Sequence, residues 1–252
     1  MNTATAETVS AKEKLIVALD FENAEDALKL YGELREDAGM FKVGSQLFTK
    51  AGPDLVRRLV KDGARVFLDL KFHDIPNTVA NAAREAVRLG VALFNIHAAG
   101  GTEMMRRAAE ATAEEAARLC VRKPSLIAVT VLTSIDEEAM SETGVVAASV
   151  EEQVRRLARL ADASGLDGVV ASPHEIVPVR GAVGRDDFLV VTPGVRPSAV
   201  ANEDQKRVTT PAEAVRRGAD FIVVGRAILN APDPAAAARA VVKEMQGVDG
   251  RQ

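Results

Sequence analysis

The chain has 252 residues, of which 47% are hydrophobic and 27% are charged. These proportions are typical of globular proteins, and they exclude the low hydrophobicity and high charge of a disordered chain. The net charge of −4 argues against a general nucleic-acid binder, because binding to a phosphate backbone depends on a basic surface. A single barrel-type domain of this length is common, and we expect one domain.

Short apolar segments rich in β-branched residues recur along the chain and predict eight strands. Continuous apolar runs of this kind are typical of strands that are buried on both faces. Between them lie segments with helical periodicity, three of which begin at the predicted caps Asn23, Thr102 and Ser149. The predicted strands cover residues 15–20, 40–44, 65–71, 93–98, 125–133, 167–172, 187–194 and 220–228.

Eight strand-then-helix units in succession indicate an α/β fold of the (β/α)8 TIM-barrel type. A doubly wound open sheet is the alternative. Polar or charged residues cluster at the carboxyl ends of the predicted strands, as expected if one rim of a closed barrel carries the site. The segment after the first strand, FENAEDA, has no glycine-rich dinucleotide fingerprint. Both observations favour the barrel.

The barrel assignment sets the expected domain boundaries. We expect a flexible polar leader at residues 1–13, the barrel domain at 14–247 and a C-terminal tail at 248–252. No window has the roughly 18 apolar residues of a membrane span. The single cysteine, Cys120, rules out an internal disulfide, so we expect a cytoplasmic protein, with Cys120 buried at the end of a helix.

The third predicted strand ends in DLKFHDIPNT, residues 69–78, which crowds charges at one place. Side chains alternate along a strand, so Asp69 and Lys71 share a face, and the following turn carries Asp74. Opposite charges nearby favour the protonated form of Lys71. This describes a cationic proton donor, whereas a Schiff-base lysine must be neutral. A rim salt bridge is the structural alternative.

Neighbouring strands strengthen the functional interpretation of this motif. Lys42 lies at the end of the second strand and Asp20 at the end of the first, so the barrel would bring two lysines and several aspartates to one rim. Crowding so many charges at one rim costs free energy unless the charges have a function. His97 and His73 are more often structural at such positions. A lysine among the carboxylates would compete with Mg²⁺ for them, so we expect no metal site.

The last two predicted strands end in glycine-containing loops that suggest a phosphate site. Loops at these positions in such barrels often bind phosphate through backbone N–H groups. Here they carry Gly194, Gly225 and Arg226, and the arginine adds a planar fork of donors. Residues 196–210 form a long polar loop, which next to a phosphate site predicts a lid with Arg196 and Gln205 as contacts.

Read in order, Asp20, Lys42, DLKFHDIPNT, VLTS, TPGVRP, DQKRV and VVGRAI resemble the orotidine 5′-phosphate decarboxylase family over about residues 14–245. The resemblance implies a homodimer of (β/α)8 barrels that converts orotidine 5′-phosphate to UMP, the last step of de novo pyrimidine nucleotide synthesis, with no metal or organic cofactor. It implies that Lys71 protonates a C6 carbanion and that Lys42, Asp69 and the partner chain's copy of Asp74 complete the charge network.

The resemblance also assigns substrate contacts. It implies that Asp20 and Lys42 bind ribose hydroxyls, that Ile75 lines the base pocket and that Thr78 reaches across the dimer interface. It places Thr133 and Ser134 at the pyrimidine edge, and it places at the phosphate Arg196, Gln205, Gly225 and Arg226. Two alternatives remain: a Mg²⁺-dependent sugar-phosphate decarboxylase or aldol lyase of the same barrel type, and a non-catalytic phosphate-binding scaffold.

Overall fold

A computed structural model describes residues 9–197 and 209–248. Within these ranges eight parallel strands form a closed barrel in which each strand pairs with the next along the chain. The strands are β1 (Leu15–Ala18), β2 (Met40–Gly44), β3 (Val66–Phe72), β4 (Leu93–His97), β5 (Ser125–Val129), β6 (Gly168–Val170), β7 (Leu189–Pro193) and β8 (Phe221–Val224). Every predicted strand is therefore confirmed, although all except β2 and β3 end earlier than predicted.

Closure of the sheet decides between the two predicted architectures. The first strand pairs with the last, with Leu15 opposite Ile222 and Val17 opposite Val224. A doubly wound sheet is open, and its first strand does not pair with its last. The (β/α)8 barrel is thus confirmed, and the doubly wound alternative is wrong.

Helices alternate with the strands and cover the outside of the barrel. They are α1 (Ala24–Leu34), α2 (Ser45–Ala51), α3 (Pro53–Lys61), α4 (Pro76–Arg88), α5 (Gly101–Leu119), α6 (Glu137–Glu142), α7 (Val150–Ala163), α8 (Ile176–Ala182), α9 (Pro211–Arg216), α10 (Arg226–Leu229) and α11 (Pro234–Met245). None of the helices in the described ranges is long and apolar enough to cross a membrane.

Two of the three predicted helix caps are confirmed. The side chain of Asn23 accepts the N–H of Asp26, and that of Ser149 accepts the N–H of Glu152. Thr102 is not a cap, because a 3-10 turn runs directly into α5 and places Thr102 inside its first turn. At these helices the sequence predicts the cap correctly only where the capping residue has an extended backbone.

The burial of Cys120 was predicted wrongly. The residue follows α5 in a left-handed conformation with φ of 53°, and it is exposed. Its backbone N–H binds the last turn of the helix. The left-handed conformation ends α5 at this point, so Cys120 does not continue the buried face of the helix.

The core has two layers because strand side chains alternate between the barrel interior and the helices. One cluster lies between strands and helices and includes Val17, Leu68 and Phe94. The second fills the barrel interior and consists of Ile16, Ala18, Met40, Phe67, Leu93, Ile127, Val191 and Val223. Inward residues further along the same strands are therefore available to form a site at the carboxyl end.

The opposite end of the barrel is held together by two aspartates in equivalent places. Asp167 precedes β6 and accepts the N–H of Leu126 at 2.7 Å, while Asp220 precedes β8 and accepts the N–H of Val190 at 2.7 Å. Each carboxylate also forms a salt bridge with a basic side chain. These contacts join neighbouring strands at the amino end, where polar residues of such barrels serve stability.

A buried carboxylate joins α4 to α5. Glu115 is only 4% exposed at its side chain and binds Arg118 at 2.6 Å and Arg88 at 2.7 Å. The hydrogen bond from Arg118, and then that from Arg88, lower the pKa of Glu115 to about 2. The ionised form of Glu115 is therefore favoured in the folded state.

We expect Glu115→Gln to lower the thermal unfolding temperature by a few degrees at pH 7, because charge-assisted hydrogen bonds to two arginines are weakened. A folded-state pKa below the unfolded value stabilises the protein above about pH 4.5, and this stabilisation disappears as the pH falls toward about 2. The difference in unfolding temperature between wild type and Glu115→Gln should therefore become smaller as the pH falls from about 4.5 to about 2. Glu114→Gln is the control, because Glu114 pairs with Arg84 but is 67% exposed. Equal unfolding temperatures for wild type and Glu115→Gln at pH 7 would contradict this role.

Candidate active site

A cavity of about 720 Å³ opens at the carboxyl ends of the strands. Inward residues of the strands form its floor, among them Phe67, Val129 and Val223. The predicted site residues that line it are Asp20, Lys42, Asp69, Lys71, Thr133, Gly194, Arg196, Gly225 and Arg226. Residues predicted for the proton donor, the ribose contacts and the phosphate contacts therefore share one cavity.

Four charges alternate in sign along one wall of this cavity. The Nζ of Lys42 lies 3.1 Å from Oδ1 of Asp20 and 3.4 Å from Oδ2 of Asp69. The Nζ of Lys71 lies 2.6 Å from Oδ1 of Asp69. The side chains of Lys42 and Asp69 are each 12% exposed, while that of Lys71 is 35% exposed and reaches the cavity. Buried charges of this kind are tolerated when each is paired with an opposite charge.

The backbone at Lys71 departs from strand geometry. Its φ is 53°, in the left-handed region that non-glycine residues rarely adopt and that costs about 1–3 kcal/mol. The register of β3 on β4 also shifts between Leu68 and Phe72. This irregularity directs the side chain that carries the ammonium, and strained backbone of this kind is concentrated at functional sites.

Sequence reasoning missed Asn95, a residue of β4 whose side chain lies next to the charged residues of the cavity wall. It is 1% exposed and binds both Asp69 and the backbone N–H of Lys71. Side chains two residues apart on a strand share a face, so Asn95 faces the same way as His97 at the rim. This alternation was the available signal. Ser172 and Asn230, which unlike Asn95 line the cavity, were also not predicted as substrate contacts.

The loops after β7 and β8 supply the opposite side of the cavity. Gly194 has a φ of 78°, which favours glycine. A Cβ on Gly225 would lie 3.4 Å from both Ala18 Cβ and Asp20 Oδ2. Arg226 follows directly and lines the cavity. Glycine thus lets the backbone approach the site beside an arginine, as a phosphate-binding loop requires.

Several predicted residues do not lie in this cavity. Asp74, Ile75 and Thr78 lie at or before the start of α4, where they are exposed, and Asp74 Oδ1 accepts the N–H of Ile75 at 2.6 Å. Ser134 is exposed next to Thr133 but does not line the cavity. Gln205 and most of the predicted lid lie outside the described residues, as do the outer parts of the predicted leader and tail.

The two histidines near the motif stack beside the site, with ring centroids 5.4 Å apart. Burial lowers the pKa of His97 below its ordinary value, and the neighbouring His73 and Lys71 lower it further. The neutral form of His97 is therefore favoured beside the charged residues. Over the part of the chain that the structure covers, no three His, Cys, Asp or Glu side chains come together as a metal site would require.

The fold and the cavity define a (β/α)8-barrel enzyme with a lysine–aspartate network and glycine-containing loops beside Arg226 at one rim. The family model for the orotidine 5′-phosphate decarboxylase / HUMPS family matches residues 13–241. The chain belongs to this family.

Individual relatives agree with this assignment. The chain is 56% identical over 238 residues to an orotidine 5′-phosphate decarboxylase of Moorella thermoacetica, with 94% of each chain covered. It is 55% identical to that of Syntrophotalea carbinolica, covering 94% of this chain and 96% of the relative. The crystal structure of the Lactobacillus acidophilus enzyme of the same name is similar with a TM-score of 0.81 at 39% identity, covering 92% of this chain and 99% of that one.

Proposed function

We propose that this protein decarboxylates orotidine 5′-phosphate to UMP, the last step of de novo pyrimidine nucleotide synthesis. The observation that carries the proposal is the arrangement of the cavity. It combines the ammonium of Lys71, held by Asp69 at 2.6 Å, with the glycine loop and Arg226. A nucleoside 5′-monophosphate has an anionic phosphate that the glycine loop could bind and a base that can extend toward Lys71. The curated relatives carry this activity in their names.

Lys71 is the proposed proton donor. Loss of CO₂ breaks the bond between C6 of the pyrimidine and its carboxylate carbon, and the electron pair of that bond stays on C6. An N–H of the Lys71 ammonium then protonates C6, which leaves a neutral amine. A fixed ammonium aimed at C6 stabilises the developing negative charge with little reorganisation, and Asp69 with Lys42 keeps it in place.

The remaining residues divide by the part of the nucleotide that they would hold. Remote contacts to the ribose and phosphate allow binding energy to act on the reacting atoms. We assign the ribose hydroxyls to Asp20 and Lys42, the pyrimidine edge to Thr133 and Ser134, and the phosphate to Arg196, Gln205, Gly225 and Arg226. We assign the base pocket to Ile75, which like Asp74 lies outside the cavity of its own chain.

The proposal includes a homodimer with shared active sites. Asp74 and Thr78 are exposed and lie outside the cavity of their own chain. Ile75 between them is 67% exposed, although it is a large apolar residue. An exposed apolar residue beside functional candidates is what an interface would cover. We therefore infer that Asp74 and Thr78 reach the active site of the neighbouring subunit.

The proposal requires no metal ion and no organic cofactor, and it places the protein in the cytoplasm. The absence of a cofactor is supported by the lysines that occupy both carboxylates of the cavity wall, because an ammonium competes with Mg²⁺ for the same oxygens. The cytoplasmic location rests on the single cysteine.

A metal-free activity assay tests the proposed function. Enzyme treated with EDTA should consume orotidine 5′-phosphate, measured as the loss of its ultraviolet absorbance, at the rate of untreated enzyme. EDTA-sensitive turnover of a sugar phosphate with none of orotidine 5′-phosphate would favour the Mg²⁺-dependent alternative. UMP binding with no decarboxylation would indicate a non-catalytic scaffold. Either result would refute the proposal.

A further inference from the structure

Asn95 is a buried amide in the middle of the barrel strand next to the lysine motif. It is the third residue of β4, and it shares the inward face with Leu93 of the interior cluster. Only 1% of the residue is exposed. A buried amide is costly unless its polar atoms have partners. The partners of Asn95 therefore indicate what the residue does.

Both polar ends of the Asn95 side chain bind the lysine motif. Its Nδ2 donates to Oδ1 of Asp69 at 2.7 Å, and its Oδ1 accepts the backbone N–H of Lys71 at 2.8 Å. A flipped amide would set its N–H group against the N–H of Lys71 and its oxygen against the carboxylate. The network thus determines the amide orientation.

The bond to Lys71 replaces a contact that a regular sheet would supply. The register of β3 on β4 shifts between Leu68 and Phe72, and within this irregularity the Asn95 side chain accepts the N–H of Lys71. Lys71 has a φ of 53° at this point. A strained conformation persists only where its surroundings hold it. Asn95 supplies such a restraint at the residue that carries the ammonium.

The bond to Asp69 orients the carboxylate that holds both lysines. Oδ1 of Asp69 receives Nδ2 of Asn95 and Nζ of Lys71, while Oδ2 faces Nζ of Lys42 at 3.4 Å. The bond from Asn95 adds a third donor to this carboxylate, and it restrains rotation about the bond to Cβ. Each oxygen therefore stays directed at one ammonium.

We propose that Asn95 is a positioning residue for the decarboxylation, which acts by fixing Lys71 through its backbone and Asp69 through its carboxylate. The inference rests on the proposed function. It assigns no contact between Asn95 and substrate, because Asn95 is not among the cavity residues. Misplacement of a reacting group by about 1 Å can lower a rate about 100-fold. Loss of Asn95 should therefore reduce the chemical step and leave nucleotide binding in place.

Two variants separate the contributions of the amide. Asn95→Ala removes both hydrogen bonds, whereas Asn95→Asp keeps an acceptor for the N–H of Lys71 but replaces the donor to Asp69 with a second carboxylate. Ile96→Ala is the control. Ile96 is the next residue on β4, is fully buried and faces the helices, so its truncation lowers stability without touching the network.

The measurements are kcat and KM for orotidine 5′-phosphate, the Kd for UMP, and the unfolding temperature. We expect both Asn95 variants to lose about 100-fold in kcat, with KM and the UMP Kd changed by less than about threefold. Ile96→Ala should unfold at a lower temperature with the kcat of wild type.

Three results would overturn the inference while wild type is active. These are wild-type kcat in both Asn95 variants, equal kcat losses in Asn95→Ala and Ile96→Ala, or failure of both Asn95 variants to fold, which would make Asn95 a residue of the core. An inactive wild type would reject the proposed function itself and this inference with it.

Discussion

Lys71→Ala is expected to abolish decarboxylation while nucleotide binding persists. Removing the proton donor and the fixed positive charge at C6 should lower kcat at least about 1,000-fold. The folded structure should survive, because Asp69 keeps its contacts with Lys42 at 3.4 Å and with Asn95 at 2.7 Å. Single-turnover kinetics and the Kd for UMP provide the measurement.

Two control variants make this result specific. Lys61→Ala removes an exposed lysine at the end of α3 and should leave kcat and KM unchanged. Arg226→Ala should show the opposite behaviour to Lys71→Ala, with a raised KM from weaker phosphate binding. A near-wild-type rate for Lys71→Ala would refute the proton-donor role, whatever the other variants show.

Asp74→Ala is expected to be nearly inactive on its own and to recover activity when mixed with Lys71→Ala. If Asp74 contributes a charge to the neighbouring site, its loss should lower kcat about 100- to 1,000-fold. A mixed dimer then contains one doubly altered site and one intact site. Equal amounts of the two variants with free exchange should give about a quarter of wild-type activity, since half of the dimers are mixed.

The matched control for Asp74 is Asp54→Ala. Asp54 is 90% exposed and pairs with Arg57 on its own helix, so this variant should keep full activity without mixing. Subunit exchange is confirmed independently, for example with differently tagged variants. Confirmed exchange without recovery would contradict the shared site, and a fully active Asp74→Ala protein would remove Asp74 from the mechanism.

Much of the fold could be predicted because its signals are local. Alternation along DLKFHDIPNT placed Asp69 and Lys71 on one face, and the structure brings both into one cavity with Lys42. The carboxyl ends of parallel strands meet at one rim, so strand order alone placed Arg226 near them. The predicted extents were less accurate. The strand predicted at 125–133 ends at Val129, because the chain leaves the sheet before Thr133.

The sequence did not reveal the residue that holds Lys71. Asn95 stands in the apolar run LFNIHA, where a single amide resembles an isolated polar residue of the core. Its role depends on the irregular register between β3 and β4 and on the left-handed backbone at Lys71. Neither feature has a local signature, because lysine has no preference for a positive φ. Cys120 was misjudged for a related reason, since its exposure follows from a left-handed helix end.

The eight strand–helix units and the kinds of group that gather at the rim follow from the order of residues, because periodicity and residue chemistry act over short distances. Closure of the sheet, with Leu15 opposite Ile222, and the amide that joins Asp69 to the backbone of Lys71 depend on how distant segments pack together. The tertiary structure also places Asp74 outside the cavity of its own chain. Distances between groups on different strands depend on register and closure, and these are set by packing of the whole barrel.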